Sequence, residues 1–132
     1  MIPAIEVDLA SSVPPYEQVR LQVVAHVAAG RLRAGDRLPT IRALAADLGV
    51  AAGTVARAYR ELEAAGVVVT RRRSGTVVAE GTPAPDLAVQ EAAERLVAVG
   101  RAAGLDDEAV LAAVRGALLG SRPRSGAGAP RG

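Results

Sequence analysis

Apolar residues recur at helical spacing through most of the chain, and they cluster or alternate in strand fashion only in short stretches. From Tyr16 onward, Val19, Val23 and Val27 repeat every four residues, the stripe of a helix with one buried face. Pro15 suits the first helical position, where a missing N–H costs nothing, and Gly30 ends the run. Thr40 is placed to cap a second helix over 41–48, with Leu44 and Leu48 one turn apart and Gly49 as its stop. A third helix is predicted from about Ala52 to Ala65, with Val55, Tyr59 and Leu62 on one face and Gly66 beyond it. Tyr59 and Tyr16 read as packing residues, His26 as an exposed helical residue, and Glu61 and Glu63 as a solvated face.

The β-branched run Val67–Thr70 reads as a strand, Arg71–Gly75 as a basic turn, and Thr76–Val78 as the returning strand. Ile5-Glu6-Val7-Asp8 alternates apolar with acidic and predicts a short edge strand. Residues 80–86 form a linker rich in Gly and Pro. Asp86 is placed to cap a fourth helix reaching about Ala103, and Gly104 breaks it. Asp106 caps a fifth helix over about 107–119. Asp107 and Glu108 then stand in its first turn, where they favour the helix dipole, a sufficient reason for this acidic run without a metal. Residues 120–132 are Gly/Pro/Arg-rich and read as a disordered tail.

Composition narrows the possibilities. The 132 residues suit one domain or one domain plus a short appendage. Two Tyr, no Phe and no Trp leave Ala, Val and Leu to fill the interior, so dimerisation would help stability. With no Cys, disulfides and thiolate metal sites are excluded, the lone His26 cannot build a zinc site by itself, and no paired carboxylates or phosphate-cradling loop suggests an enzyme. No cofactor is expected. No apolar run approaches the roughly 18–20 residues of a membrane span, and Met1–Ala10 lacks the pattern of a signal peptide, so a cytoplasmic location is expected. The net charge of +2 is unevenly placed. Residues 1–79 hold ten Arg against seven acids, residues 80–119 three Arg against seven acids, and residues 120–132 three Arg and no acid. A basic front beside an acidic rear implies two tasks.

Two short helices joined by a tight turn, followed by a basic hairpin, make a helix-turn-helix with a wing. In such units the second helix enters the major groove N-terminal end first. Here that end is Ala51-Ala52-Gly53-Thr54, small enough for close backbone approach, and the Thr54 hydroxyl and methyl suit a phosphate, a base edge or a thymine methyl. Arg57 lies one turn on, in reach of a guanine or a phosphate. Arg42 sits in the first turn of the second helix, where phosphate is the natural partner. Arg72 and Arg73 at the hairpin tip suit phosphate or the minor groove. A winged module that binds protein instead of DNA remains the competing reading.

The motif order resembles the GntR-type winged helix-turn-helix. The match runs through Pro15-Tyr16-Glu17-Gln18-Val19, Gly30-Arg31-Leu32 and Gly35-Asp36-Arg37-Leu38-Pro39-Thr40-Ile41-Arg42-Ala43-Leu44-Ala45. It continues through Thr54-Val55-Ala56-Arg57-Ala58-Tyr59-Arg60-Glu61-Leu62-Glu63-Ala64-Ala65-Gly66 and ends at Ser74-Gly75-Thr76-Val77-Val78. The resemblance implies a DNA-contacting arginine at Arg42, a recognition helix near Ala52–Arg57 and a wing glycine at Gly75. The DNA-facing set is then Thr40, Arg42, Ala52, Gly53, Thr54, Arg57, Arg72, Arg73 and Gly75. Relatives often carry Arg in the slot of Ala52, Asn-Pro-Asn where Ala51-Ala52-Gly53 stands, and Gly where Arg73 stands, so an operator cannot be transferred from them.

The rear region resembles the short YtrA-like subgroup, in which two helices form a dimer arm. Leu87, Leu96 and Val97, with Ala93 and Gly100, mark the fourth helix, and Val110, Leu111, Val114 and Leu118 the fifth. Two isolated amphipathic helices cannot bury both faces, so a second copy is the expected cover; the alternative is that they fold back on the chain's own winged domain. The expected architecture is mainly α with a small β hairpin: a winged helix-turn-helix over 1–79 (helix-turn-helix about 40–65, wing 67–78), the linker, a helical dimerisation region over 87–119, and the tail. The expected function is a sequence-specific transcriptional regulator, a repressor binding double-stranded DNA as a homodimer at a pseudo-palindrome. So short a rear region leaves little room for a buried effector pocket, and any small-molecule effector is left unidentified.

Overall fold

A computed structural model describes residues 3–81 and 86–121. The element order is α1 (Pro15–Ala28), α2 (Ile41–Leu48), α3 (Ala52–Ala64), β1 (Val68–Arg71), β2 (Gly75–Val78), α4 (Leu87–Ala102) and α5 (Asp107–Ser121). The fold is mainly helical with one antiparallel hairpin. It divides into two compact units, Met1–Pro85 and Asp86–Gly132.

In the first unit α1 and α2 both pack on α3. Val19, Val23 and Val27 of α1, Leu44 of α2, and Val55, Ala58, Tyr59 and Leu62 of α3 meet in one core with Leu32, Leu38, Val68 and Val78. These are the stripes that the helical period marks. Tyr59 is buried, its hydroxyl donates to Pro39 O at 2.7 Å, and burial pushes that hydroxyl well above its ordinary range. Thr40 Oγ1 accepts from Ala43 N at 3.1 Å and caps α2, while Gly49 ends it at φ 72°, a left-handed turn that suits glycine.

The hairpin pairs Val68 with Val78, Val69 with Val77, Thr70 with Thr76 and Arg71 with Gly75. Its strands start one residue away from their sequence-predicted bounds, because the Val67 N–H is taken by Leu62 O at 2.9 Å as α3 closes. The connection before α2 is more ordered than its turn-rich composition implies. Gly35 N donates to Val78 O, Val78 N to Asp36 O and Leu38 N to Thr76 O, each at 2.8 Å, and Arg37 pairs with Val77. Residues 35–38 thus run antiparallel along the free edge of β2.

The edge strand expected at Ile5–Asp8 does not form. The backbone of that segment is held by side chains of α1 instead of by a strand. Gln22 Oε1 accepts from Glu6 N and Gln22 Nε2 donates to Glu6 O. Gln18 does the same for both backbone groups of Asp8 and also donates to Val13 O. His26, expected to be exposed, is half-buried: its Nδ1 accepts from Arg31 Nε at 3.0 Å, which leaves Nε2–H to donate to Ala4 O at 2.9 Å. Ile5 and Val7 face the core.

In the second unit Asp86 caps α4 through Val89 N and Asp106 caps α5 through Ala109 N. Gly104 turns at φ 82° between them. The fifth helix continues to Ser121 instead of ending near Leu119, since Leu118 and Leu119 are good helix formers and Gly120 alone does not stop it. Residues 120 and 121 of the expected tail are thus helical, and the rest of it, 122–132, lies outside the described residues, as do 82–85 of the linker. Among the described residues no helix is long and apolar enough to cross a membrane, and no group of three or more metal-ligating side chains occurs.

Candidate nucleic-acid interface

The third helix, α3, starts without a side-chain cap, as α1 does. Where α2, α4 and α5 have capping side chains, Ala51 offers α3 none. The Ala52 and Gly53 positions are exposed, Thr54 is half-buried, and a Cβ at Gly53 would meet nothing within 4 Å. An uncapped helix start presents backbone N–H groups and the positive end of the dipole to a negative partner. The αL turn at Gly49 sets the angle between α2 and this start.

Arg42 is exposed in the first turn of α2, and Arg72 and Arg73 are exposed at the hairpin tip. None of the three has a carboxylate partner among the described residues. Gly75 closes the tip at φ 74°, a conformation that L side chains rarely adopt. Thr40 is exposed, but its hydroxyl is already used in the α2 cap.

Arg57 is held differently. Its guanidinium lies 3.8 Å from the centroid of the Tyr16 ring, and its Nε is 3.3 Å from Glu61 Oε2. Glu61 also faces Arg20 at 3.9 Å, and Arg20 makes a two-pronged contact with Glu17 at 2.8 and 2.6 Å. The Arg20 hydrogen bond holds the Glu17 carboxyl below its ordinary range. Glu61, read from the sequence as a solvated face, therefore belongs to a chain of charges linking α1 to α3. The spacing of Arg57 and Glu61 at i, i+4 signalled that pair; Tyr16 and Arg20 lie on another helix and gave no local signal.

Six of the seven apolar positions named for a dimer interface line two grooves of the rear unit. Leu96, Val114 and Leu118 line one groove with Ala113, Ala117 and Ser121. Val97, Val110 and Leu111 line another with Arg101 and Asp107. Leu87 is exposed and belongs to neither lining. Between the helices Gly100 is buried.

Residues 15–78 match the family described as bacterial regulatory proteins, gntR family. The chain is 52% identical over 101 residues to the HTH-type transcriptional regulator Rv1152 of Mycobacterium tuberculosis, covering 76% of this chain and 83% of that protein. It is 40% identical over 76 residues to the HTH-type transcriptional repressor YtrA of Bacillus subtilis, covering 58% of each. Among solved structures, YtrA from Sulfolobus acidocaldarius, a GntR-family transcription factor, is similar with a TM-score of 0.55 and 34% identity, over 73% of this chain and 99% of that one.

Proposed function

The chain belongs to the gntR family of DNA-binding transcriptional regulators, in its YtrA-like branch, and from that premise we propose that it represses transcription as a homodimer on a pseudo-palindromic operator. The start of α3 enters the major groove with Ala52, Gly53 and Thr54 against the duplex. Arg42 holds a phosphate beside it, and Arg72 and Arg73 reach the neighbouring backbone or minor groove around the Gly75 turn. Arg57 is the further candidate contact, once released from Tyr16. The observation that carries this reading is the set of three exposed arginines, Arg42, Arg72 and Arg73, left without a carboxylate partner beside a helix start left without a cap.

The two-fold arrangement is supported by the rear unit, whose exposed apolar grooves suit a second copy of the same two helices. Recognition helices in such a dimer fall about one DNA turn apart, roughly 34–36 Å or a multiple. The repressor role is supported by the name of the Bacillus subtilis relative.

The test is a mobility-shift and footprinting experiment with DNA from upstream of the chain's own gene. The expected result is one retarded complex and two protected half-sites, with Arg42→Ala weakening binding by about 1–3 kcal/mol through a lost charge-assisted contact. Equal affinity for the upstream duplex and a scrambled one, at low and high salt alike, would remove the reading.

A further inference from the structure

The arginines of the wing are not all at its tip. Directly paired residues of an antiparallel ribbon share a face, and the face repeats every second residue. Arg37 pairs with Val77 on one edge of β2, and Val69 pairs with Val77 on the other. Arg71 lies two residues beyond Val69. Arg37, Val77, Val69 and Arg71 therefore occupy one face of the hairpin and the bridged segment beside it. The opposite face carries Leu38, Val68 and Val78, which belong to the core.

The outer face is shaped as well as charged. Arg37, Arg71 and Ser74 line a groove of about 340 Å³ with Gly35, Glu80 and a floor formed by Val77. Both arginines are exposed. Neither forms an ion pair among the described residues, although Glu80 lines the same groove. Two unpaired guanidinium groups and a hydroxyl at an open groove suit the oxygens of a phosphodiester. A small ligand needs a pocket that buries most of its surface, and this groove is lined without any buried polar side chain. A polyanion running past needs no such enclosure, because its charge is supplied along its length. Arg72 and Arg73 continue directly from Arg71, so groove and tip form one track.

We propose that the outer face of the wing is a second phosphodiester-binding surface, with Arg37 and Arg71 as its contacts beyond those of the tip. This rests on the reading of the chain as an operator-binding protein. It makes the bound duplex longer than the stretch that α3 reads, and the added contacts are indifferent to sequence.

The experiment compares the full chain with Arg37→Gln, Arg71→Gln and the double variant. Fluorescence anisotropy is read on the upstream duplex and on a scrambled duplex of equal length, across a salt series. Each lost contact is expected to flatten the log–log salt dependence by about 0.9, and the double variant by about 1.8. The ratio of affinities for the two duplexes stays within about twofold of the parent, because phosphate contacts weaken all sequences alike. Arg37→Lys with Arg71→Lys is expected to keep most of the slope, and circular dichroism melts show that each variant is folded. A double glutamine variant that is folded and has the parent's slope overturns the inference, even with specific binding intact. If the parent fails to discriminate the two duplexes, the operator reading falls by itself, and a flattened slope in the double variant still supports the wing contact.

Discussion

Arg57 has two claims on it, and their magnitudes decide which wins. Within the protein it stacks on Tyr16 and pairs with Glu61. An exposed cation–π contact contributes about 0.5–1 kcal/mol and an exposed i, i+4 ion pair about 0.3–0.5 kcal/mol. A hydrogen bond to a charged group contributes about 1.5–3 kcal/mol, so a phosphate or guanine within reach outcompetes the internal partners. We expect Arg57→Ala to weaken operator binding by about 1–3 kcal/mol and Tyr16→Leu to weaken it by less than about 0.5 kcal/mol. In urea unfolding the two substitutions are expected to couple by about 0.5–1 kcal/mol. A Tyr16→Leu variant that loses as much affinity as Arg57→Ala would show instead that Arg57 acts by fastening α1 to α3. Nearby, Glu17 is paired with Arg20 and its pKa is lowered. Its contribution to stability is present at neutral pH and is lost as pH falls through the lowered value.

Between the elements of the rear hairpin, one glycine sets the spacing. A Cβ on Gly100 would stand 2.7 Å from Val110 Cγ2, closer than any real contact allows. Valine on a helix is confined to about one rotamer, so Val110 cannot swing clear. Gly100 stands in the last turn of α4, so alanine there gains at most about 0.8–1 kcal/mol of helix propensity, while overpacking costs about 1–3 kcal/mol. Gly100→Ala should thus loosen α4 from α5 by up to about 2 kcal/mol while Val110→Ala beside it restores the fit. The check is a thermal melt of both variants; a Gly100→Ala chain more stable than the parent would mean that the helices part freely. Nothing in the sequence around Gly100 announces this role, because the partner atom belongs to another helix. Periodicity made the five helices and the hairpin legible, since each stripe is a local property of its own segment. At Ile5–Asp8 the alternation suggested an edge strand; Ile5 and Val7 do pack on the core, but the backbone's partners are the glutamine side chains of α1, which a local pattern cannot name. The bridged segment at 35–38 was hidden for the same reason: it pairs only by virtue of β2. Among the site residues, Arg42, Arg72 and Arg73 were legible as exposed charges, whereas the shared face of Arg37 and Arg71 exists only once the register is known.

The whole chain distributes its unburied apolar surface unequally. Among the described residues, nine of the twelve exposed large apolar side chains lie from Leu87 onward, on or between α4 and α5. The winged unit has its own core, but the rear hairpin buries little besides Gly100. Exposed apolar side chains concentrated in this way mark an interaction site, and in the proposed homodimer a second copy would bring two recognition helices to one duplex. The gain from that pairing is one of effective concentration: with one half-site engaged, the second binds as if intramolecularly, which raises the overall affinity by a factor on the order of 10²–10⁴. Leu96 and Leu118 line the same groove, so placing a charge there by Leu96→Asp with Leu118→Asp forces an unpaired carboxylate into any interface built on it. Sedimentation equilibrium should then report a monomer where the parent is a dimer. Affinity for a two-half-site operator should fall by a factor on the order of 10² or more, and affinity for an isolated half-site should stay unchanged, because the winged unit is untouched. A variant that remains dimeric would place the interface on the other groove, around Val97 and Leu111; one that is monomeric yet binds both operators like the parent would show that DNA is read one half-site at a time.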